Sequence, residues 1–188
     1  MRKILRYGLF LCCLTGFMAS AAVPQAVRVG ARAIRPNTAV SSLTVAASPA
    51  FVTFRLLSKG LATGSSAVAV TTTWGGNVCL LTCTIRLYAY FSSATAALSG
   101  GSPVVNIPSS SVLGQMPTGT PTAYTAFTQS NPLGGAGASL LLFTQTYLAI
   151  APAGNRTDAL NLQINLASQP QLPAGTYSGT LFIQAQSL

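Results

Sequence analysis

Apolar and polar residues alternate with a period of two along most of this chain after residue 42. The alternation is clearest in residues 84–91 (TIRLYAYF) and 160–166 (LNLQINL), and it is typical of a β-strand with one buried face. Other short runs of β-branched and aromatic residues are separated by glycine, proline, asparagine and serine. They lie at residues 43–46, 51–57, 66–74, 104–107, 123–128, 139–150 and 177–185. This pattern predicts an all-β sandwich or barrel.

The first 22 residues have the composition of a secretory signal peptide. Arg2, Lys3 and Arg6 precede the apolar residues 9–17 (LFLCCLTGF), and residues 19–21 (ASA) supply a cleavage signal of small residues. The apolar run is shorter than the roughly 20 residues of a spanning helix. We therefore expect cleavage after residue 21 or 22 and no stable membrane span afterwards. The protein is expected in the periplasm, on the cell surface or in the extracellular medium.

Residues 23–41 are a basic segment that precedes the main domain. Val27, Val29, Ala31 and Ala33 occupy every second position in it, as they would in a strand. The segment is a strand that pairs with something, a flexible basic arm, or a disordered linker. Residues 42–188 are expected to form a single β-domain. A chain of this size buries about 70% of its unfolded surface without a disulfide.

Charged residues make up only 6% of the chain, against roughly 25% in ordinary domains. Signal cleavage leaves seven basic residues and one acid, a net charge of about +6. This balance allows long-range attraction to anionic glycans or lipid, although a few solvated arginines are an equally simple interpretation. Nucleic acid is not an expected partner, because export separates the two and no aromatic residue is interleaved with the arginines of residues 28–35.

The composition excludes the common catalytic and metal-binding chemistries. The chain has no histidine, and Asp158 is its only acidic residue. Paired-carboxylate hydrolysis, Ser-His-Asp catalysis and histidine-based zinc sites all require more than this. We expect no enzymatic activity, no metal and no cofactor. Residues 155–157 (NRT) match a glycosylation acceptor but are interpreted as a turn, with Arg156 and Asp158 forming a weak surface pair at most.

Two cysteines, Cys79 and Cys83, remain after signal cleavage. An even number of cysteines in an oxidising compartment predicts a disulfide. In a straight strand their Cα atoms would lie about 13 Å apart, whereas a disulfide requires roughly 4.4–6.8 Å. Either residues 80–82 form a turn, or the two thiols do not bond to each other.

The C-terminal segment 175–185 (GTYSGTLFIQA), after residues 172–174 (LPA), resembles the last strand of secreted proteins of the spore-coat-protein-U type and of chaperone–usher pilins. Gly175 stands 14 residues from the C-terminus, where pilins also carry a glycine. The assembly strand implied by this resemblance has an apolar face made of Tyr177, Leu181, Ile183 and Ala185.

The resemblance implies an immunoglobulin-like, pilin-like antiparallel β-sandwich that is incomplete and receives a strand from a neighbour. Its partners would be other subunits or a chaperone, bound by strand addition. The donor-strand candidate is Val27, Val29, Ala31 and Ala33. This predicts a secreted structural or adhesive subunit of a pilus or coat.

The alternative is a stand-alone periplasmic or extracellular sandwich that binds a glycan or a protein. Its candidate ligand contacts are Trp74, Tyr88 and Tyr90, which are equally candidates for the core. Residues 23–41 distinguish the two hypotheses. Exchange of this segment into another subunit supports assembly, whereas a segment that folds back onto its own chain or stays loose supports the stand-alone sandwich.

Overall fold

The computed structural model describes residues 25–33, 42–130 and 135–188, which fold as two β-sheets. The predicted all-β, sandwich-like fold is therefore confirmed for these ranges. The strands are β1 (Gln25–Ala33), β2 (Leu43–Ser48), β3 (Phe51–Phe54), β4 (Leu61–Thr63), β5 (Val68–Trp74), β6 (Asn77–Tyr90), β7 (Leu98–Gly100), β8 (Val105–Ile107), β9 (Val112–Gln115), β10 (Thr125–Ala126), β11 (Ser139–Ala151), β12 (Gly154–Asn165) and β13 (Tyr177–Ser187). A single 3₁₀ turn, Ser109–Ser111, precedes β9 in the described part of the chain.

The first sheet has the strand order β11-β6-β13-β1-β3, with β7 paired to the start of β13 and β8 paired to β7. The second sheet has the order β10-β9-β12-β5-β2, with β4 paired to β12. Among the described strand pairs, only β1 and β13 run parallel. The first sheet therefore places the first and the last described strands side by side.

The interior lies between the two sheets and is built from alternate strand residues. Leu181 and Ile183 of β13 are fully buried, as are Leu160 and Ile164 of β12, and all four belong to one core cluster. Because successive side chains of a strand point to opposite faces, this alternation places every second residue in the core. Each such leucine or isoleucine contributes about 1.5–3 kcal/mol of transfer free energy.

Two strands begin earlier than the sequence pattern indicates. Strand β6 starts at Asn77 and contains the cysteine segment, and β12 starts at Gly154. The turn predicted at residues 155–157 is therefore wrong. These residues pair with β5 in a continuous ladder, where the hydroxyl groups of Thr157 and Thr71 lie 2.8 Å apart in a hydrogen bond.

Candidate assembly site

Strand β13 has a different kind of neighbour on each side. On one side β6 pairs with it antiparallel, from Phe182 opposite Tyr90 to Ser187 opposite Ile85. On the other side β1 pairs with it parallel over residues 26–33. The far edge of β1 pairs antiparallel with β3 over residues 25–28. Residues 25–33 of the basic segment thus fill a position between β13 and β3 in the sheet of their own chain.

The side chains of β1 alternate between the core and the outer face of the first sheet. Val27 is fully buried, and Val29 is partly buried against the core. Arg28 is exposed, with its guanidinium carbon 5.6 Å from the centre of the Phe51 ring. Of the other donor-strand candidates, Ala31 is exposed, and the side chain of Ala33 lies outside the described part of the structure.

Gly30 is placed so that an aromatic ring can cover it. It pairs with Phe182, and a methyl group added to Gly30 would lie 3.5 Å from the Phe182 ring, an ordinary contact distance. Glycine in a strand commonly marks such a close approach. Its position between Val29 and Ala31 therefore does not interrupt the alternation of β1.

The predicted assembly strand is the last strand of the chain, and its apolar face is buried. Tyr177, Leu181, Ile183 and Ala185 all face the core cluster. The Tyr177 hydroxyl donates a hydrogen bond to the carbonyl oxygen of Pro173 at 2.9 Å, and burial raises the pKa of this phenol. The four side chains and this hydrogen bond fix the start and the inner face of β13.

Gly175 makes the turn into β13 possible. It has a φ of +147°, a backbone conformation that residues other than glycine rarely adopt. A Cβ atom added at Gly175 would also lie 2.7 Å from the Cα of Gly101. Both the backbone conformation and the close approach therefore require glycine. Substitution at Gly175 would displace the segment that leads into the assembly strand.

The three predicted ligand contacts do not lie together. Trp74 is only 7% exposed, its ring stacks on Phe143 in the core, and its indole N–H donates to the Pro152 carbonyl oxygen at 3.0 Å. Tyr88 is 5% exposed, whereas Tyr90 is half-buried. Both tyrosines alternate on β6 with core residues and so belong to the outer face of the first sheet.

Strand β6 is neither straight nor turned between the two cysteines. Thr82 pairs with Leu148, whereas Val78 pairs with Ile150, so residues 79–81 lie opposite Ala149 alone. In such a bulge the strand bends and its extra residues have no partner in the ladder. The sequence suggests either a turn or a straight strand between the cysteines, and the bulge is neither of these. Cys83 is disulfide-bonded. Pairing with Cys79 stays a prediction, because the Cys79 side chain lies outside the described part.

Sequence reasoning also misjudged the pair formed by Arg156 and Asp158. Asp158 is 3% exposed, and its carboxylate accepts hydrogen bonds from both Nε and Nη2 of Arg156 and from the Thr118 hydroxyl. Arg156 also donates to the Thr118 carbonyl oxygen at 2.7 Å and lies 4.2 Å above the Phe143 ring centre. The prediction of a weak surface pair is wrong. We call these four residues the clasp.

The alternation of β12 contained the signal for the clasp. Leu160, Leu162 and Ile164 face inward, and counting back by twos from Leu160 places Asp158 and Arg156 on the same inward face. Burial by itself raises the pKa of the Asp158 carboxyl. The hydrogen bonds from Arg156 and Thr118 and the charge of Arg156 outweigh that effect and lower the pKa below 3.8.

The described residues contain no group of three or more histidine, cysteine, aspartate or glutamate side chains that could hold a metal ion. They also contain no helix that is long and apolar enough to span a membrane. No family model matches the sequence, and no curated protein matches it.

Proposed function

We propose that this protein is a secreted structural subunit of a surface fibre or coat and that it assembles by exchange of its N-terminal strand. The observation that carries the proposal is the position of β1, which lies between β13 and β3 and runs parallel to β13. The last strand of the chain therefore receives its second neighbour from a separate segment, joined to the domain through residues 34–41. A segment held in this way can be supplied by another copy without any change in its contacts.

The strand order supports an immunoglobulin-like sandwich in which β1 fills the position of the last strand. In that fold one sheet contains strands A, B, E and D, and the other contains C, F and G. Here the order β2-β5-β12-β9 corresponds to A-B-E-D, and β6-β13 corresponds to C-F. No described strand follows β13 in the chain, and β1 occupies the place of G with the opposite direction.

The corner before β13 supports the same assignment. Immunoglobulin-like sandwiches commonly have a tyrosine near the start of strand F whose hydroxyl bonds to the backbone a few residues upstream. Tyr177 is the first residue of β13 and bonds to Pro173, four residues earlier. This hydrogen bond supports the assignment of β13 as the F strand, with the G position filled by a donor.

Exchange is also favoured by the small contribution of β1 to the core. Among its described side chains only Val27 is fully buried, and only Val29 is partly buried against the core cluster. The burial of one valine is worth about 1.5–3 kcal/mol, well below the stability of a whole domain. Few described side chains therefore tie β1 to the core, which favours its release and its replacement by the same strand of another copy.

A second candidate function is the stand-alone sandwich that binds a glycan or protein partner. It is favoured by the same strand, because β1 completes the sheet of its own chain. The two candidates differ only in which copy supplies β1. An experiment on assembly therefore separates them.

The test is an unheated SDS gel of the protein exported with its own signal, beside a variant that lacks residues 23–41. We expect a ladder of oligomers in the first lane and none in the second. Val27→Asn should remove the ladder because it places an amide in the core, whereas Arg28→Asn, one residue further on the outer face, should keep it. Monomer in every lane would refute exchange and establish the stand-alone sandwich.

A further inference from the structure

The outer face of β13 carries a row of side chains that the proposed assembly does not use. Thr180, Phe182, Gln184 and Gln186 alternate with the buried residues of this strand and so share its outer face. Phe182 stacks on Tyr90 of β6 with a centroid distance of 5.4 Å. We call this row, with its neighbours on β1 and β6, the β13 track.

A cationic residue stands beside each end of the track. Arg28 of β1 pairs with Thr180, and Arg86 of β6 pairs with Gln186, so each arginine shares the face of its partner. Six residues of strand separate these two positions, which corresponds to about 20 Å. An extended ligand is required to reach both arginines at once.

Two amide atoms on the track have no hydrogen-bond partner. Gln184 is 1% exposed, and its Oε1 accepts a hydrogen bond from the Tyr90 hydroxyl at 2.8 Å, while its Nε2 bonds to nothing. The Oε1 atom of Gln186 is likewise buried without a partner. A buried amide atom without a hydrogen-bond partner is unfavourable, and each such group in a native structure requires an explanation, of which a bound polar group is one.

We propose that the β13 track binds an extended anionic polysaccharide. The unpartnered donor of Gln184 and the unpartnered acceptor of Gln186 suit sugar hydroxyls, which both donate and accept, and a rotation of either side chain brings its atom to the ligand. The stacked pair of Phe182 and Tyr90 presents apolar surface to the face of a sugar ring.

The charge distribution favours an anionic ligand over a neutral one. The only acidic residue of the chain, Asp158, is buried in the second sheet and is neutralised by Arg156. No acidic side chain therefore opposes an anion at Arg28 or Arg86. Binding at the track is independent of strand exchange, because a β1 strand supplied by another copy would place its Arg28 beside Thr180 in the same register.

The experiment measures binding of an oligogalacturonate by isothermal titration calorimetry, with a neutral malto-oligosaccharide of equal length as the reference ligand. We expect the acidic oligomer alone to bind. Arg28→Gln and Arg86→Gln should each weaken binding by about fivefold, the scale of a single exposed charge-assisted contact. Lys59→Asn removes the same charge from an exposed turn away from the track and should leave the affinity unchanged.

Gln184→Met tests the amide directly. It should weaken binding while the melting temperature stays the same or rises, because an unpartnered buried donor is removed together with one hydrogen bond. Absence of binding, or an equal loss in Lys59→Asn, would overturn the proposal. Equally tight binding of anionic lipid vesicles or of single-stranded DNA, reduced by the same arginine variants, would also overturn it by assigning the track to a different occupant.

Discussion

The first sheet ends in β11 on one side and in β1 and β3 on the other, and the two edges are held by different means. Strand β11 has 13 residues, and residues of other segments also cover its edge. The backbone N–H of Thr120 donates to the Leu142 carbonyl oxygen, and the N–H of Leu141 donates to the Gln129 side chain. The clasp adds Arg156, which lies over the Phe143 ring of β11.

The opposite edge has fewer side-chain contacts: among the described residues of β1, Arg28 lies 5.6 Å from the centre of the Phe51 ring of β3. Strand β1 has nine residues and β3 has four, and β1 is held by backbone ladders and by the burial of Val27 and Val29. Side-chain contacts such as the clasp are specific to one sequence, whereas a ladder accepts any strand with small apolar residues at alternate positions. The comparison indicates a fixed edge at β11 and an exchangeable edge at β1.

The largest expected effect comes from breaking the clasp at Asp158, which holds Arg156 over the β11 edge. Asp158→Asn leaves the partly buried Arg156 charge, 27% exposed, without its counter-ion, and we expect the free energy of unfolding to fall by about 2–3 kcal/mol. Urea unfolding followed by tryptophan fluorescence measures this, since Trp74 is the only tryptophan. The double variant Arg156→Met with Asp158→Leu should lose much less, because an apolar pair can replace a buried ion pair. An equal loss in both variants would argue against the clasp.

Acid should weaken the same edge more mildly. The pKa of Asp158 is lower in the folded protein than its ordinary value of 3.8, so the ionised form stabilises the fold above the unfolded pKa. That stabilisation is lost as the pH falls through the lowered folded pKa. We expect the urea midpoint to be constant from neutral pH down to about pH 5 and to decline below pH 4. Asp158→Asn should abolish most of the decline, and a decline that persists in this variant would contradict the assignment.

The sequence predicted the strands well and the edges poorly. Alternation in residues 160–166 predicted the inward face of β12, because burial on one side imposes a period of two. The clasp was missed because two charged residues were taken as a turn, although they continue the same alternation. A single pair of charged residues is ordinarily exposed to solvent. Burial of this pair is favourable because Asp158 bonds to Thr118 and Arg156 lies over Phe143, and both of these residues are distant in sequence.

The candidate site could be predicted in part. The apolar face of β13 and the alternation of β1 are local properties, and both were visible in the sequence. The parallel pairing of β1 with β13 joins residues about 150 positions apart, and no local pattern specifies such a partner or its direction. The unpartnered amide of Gln184 was equally hidden, because it depends on packing across three strands.

A matched pair of valines tests the exchangeable edge. Val27 on β1 and Val70 on β5 are both fully buried, and truncation of either to alanine should cost about 2 kcal/mol. Val70→Ala should lower the global free energy of unfolding. Val27→Ala should instead act through local detachment of β1, so that hydrogen exchange accelerates in β1 and in the facing edge of β13 but not in β12. Uniform acceleration in Val27→Ala would show that β1 is an integral part of the fold.

A smaller effect, this time an increase in stability, is expected from replacing an unpartnered buried hydroxyl group in the second sheet, next to the clasp. Thr72 pairs with Arg156 in the ladder, and its hydroxyl oxygen is fully buried without a hydrogen-bond partner. Thr72→Val removes that hydroxyl at nearly constant shape and should raise the free energy of unfolding by about 1 kcal/mol. Thr71→Val, which breaks the exposed hydrogen bond to Thr157, should give no gain. Equal urea midpoints for the two variants would argue that the Thr72 hydroxyl has a partner.

The smallest effect is expected at the bulge of the fixed edge, where Ala149 has a φ of 63°. This left-handed conformation costs an alanine about 1–2 kcal/mol, and glycine avoids that cost but loses about 0.5–1 kcal/mol through its more flexible unfolded chain. Ala149→Gly should therefore stabilise the protein by about 0.5 kcal/mol. Ala159→Gly, on an exposed position of β12, should destabilise by a similar amount. Opposite signs in the two melting temperatures would show that the fixed edge contains local backbone strain, whereas a loss in both would mean that Ala149 is unstrained.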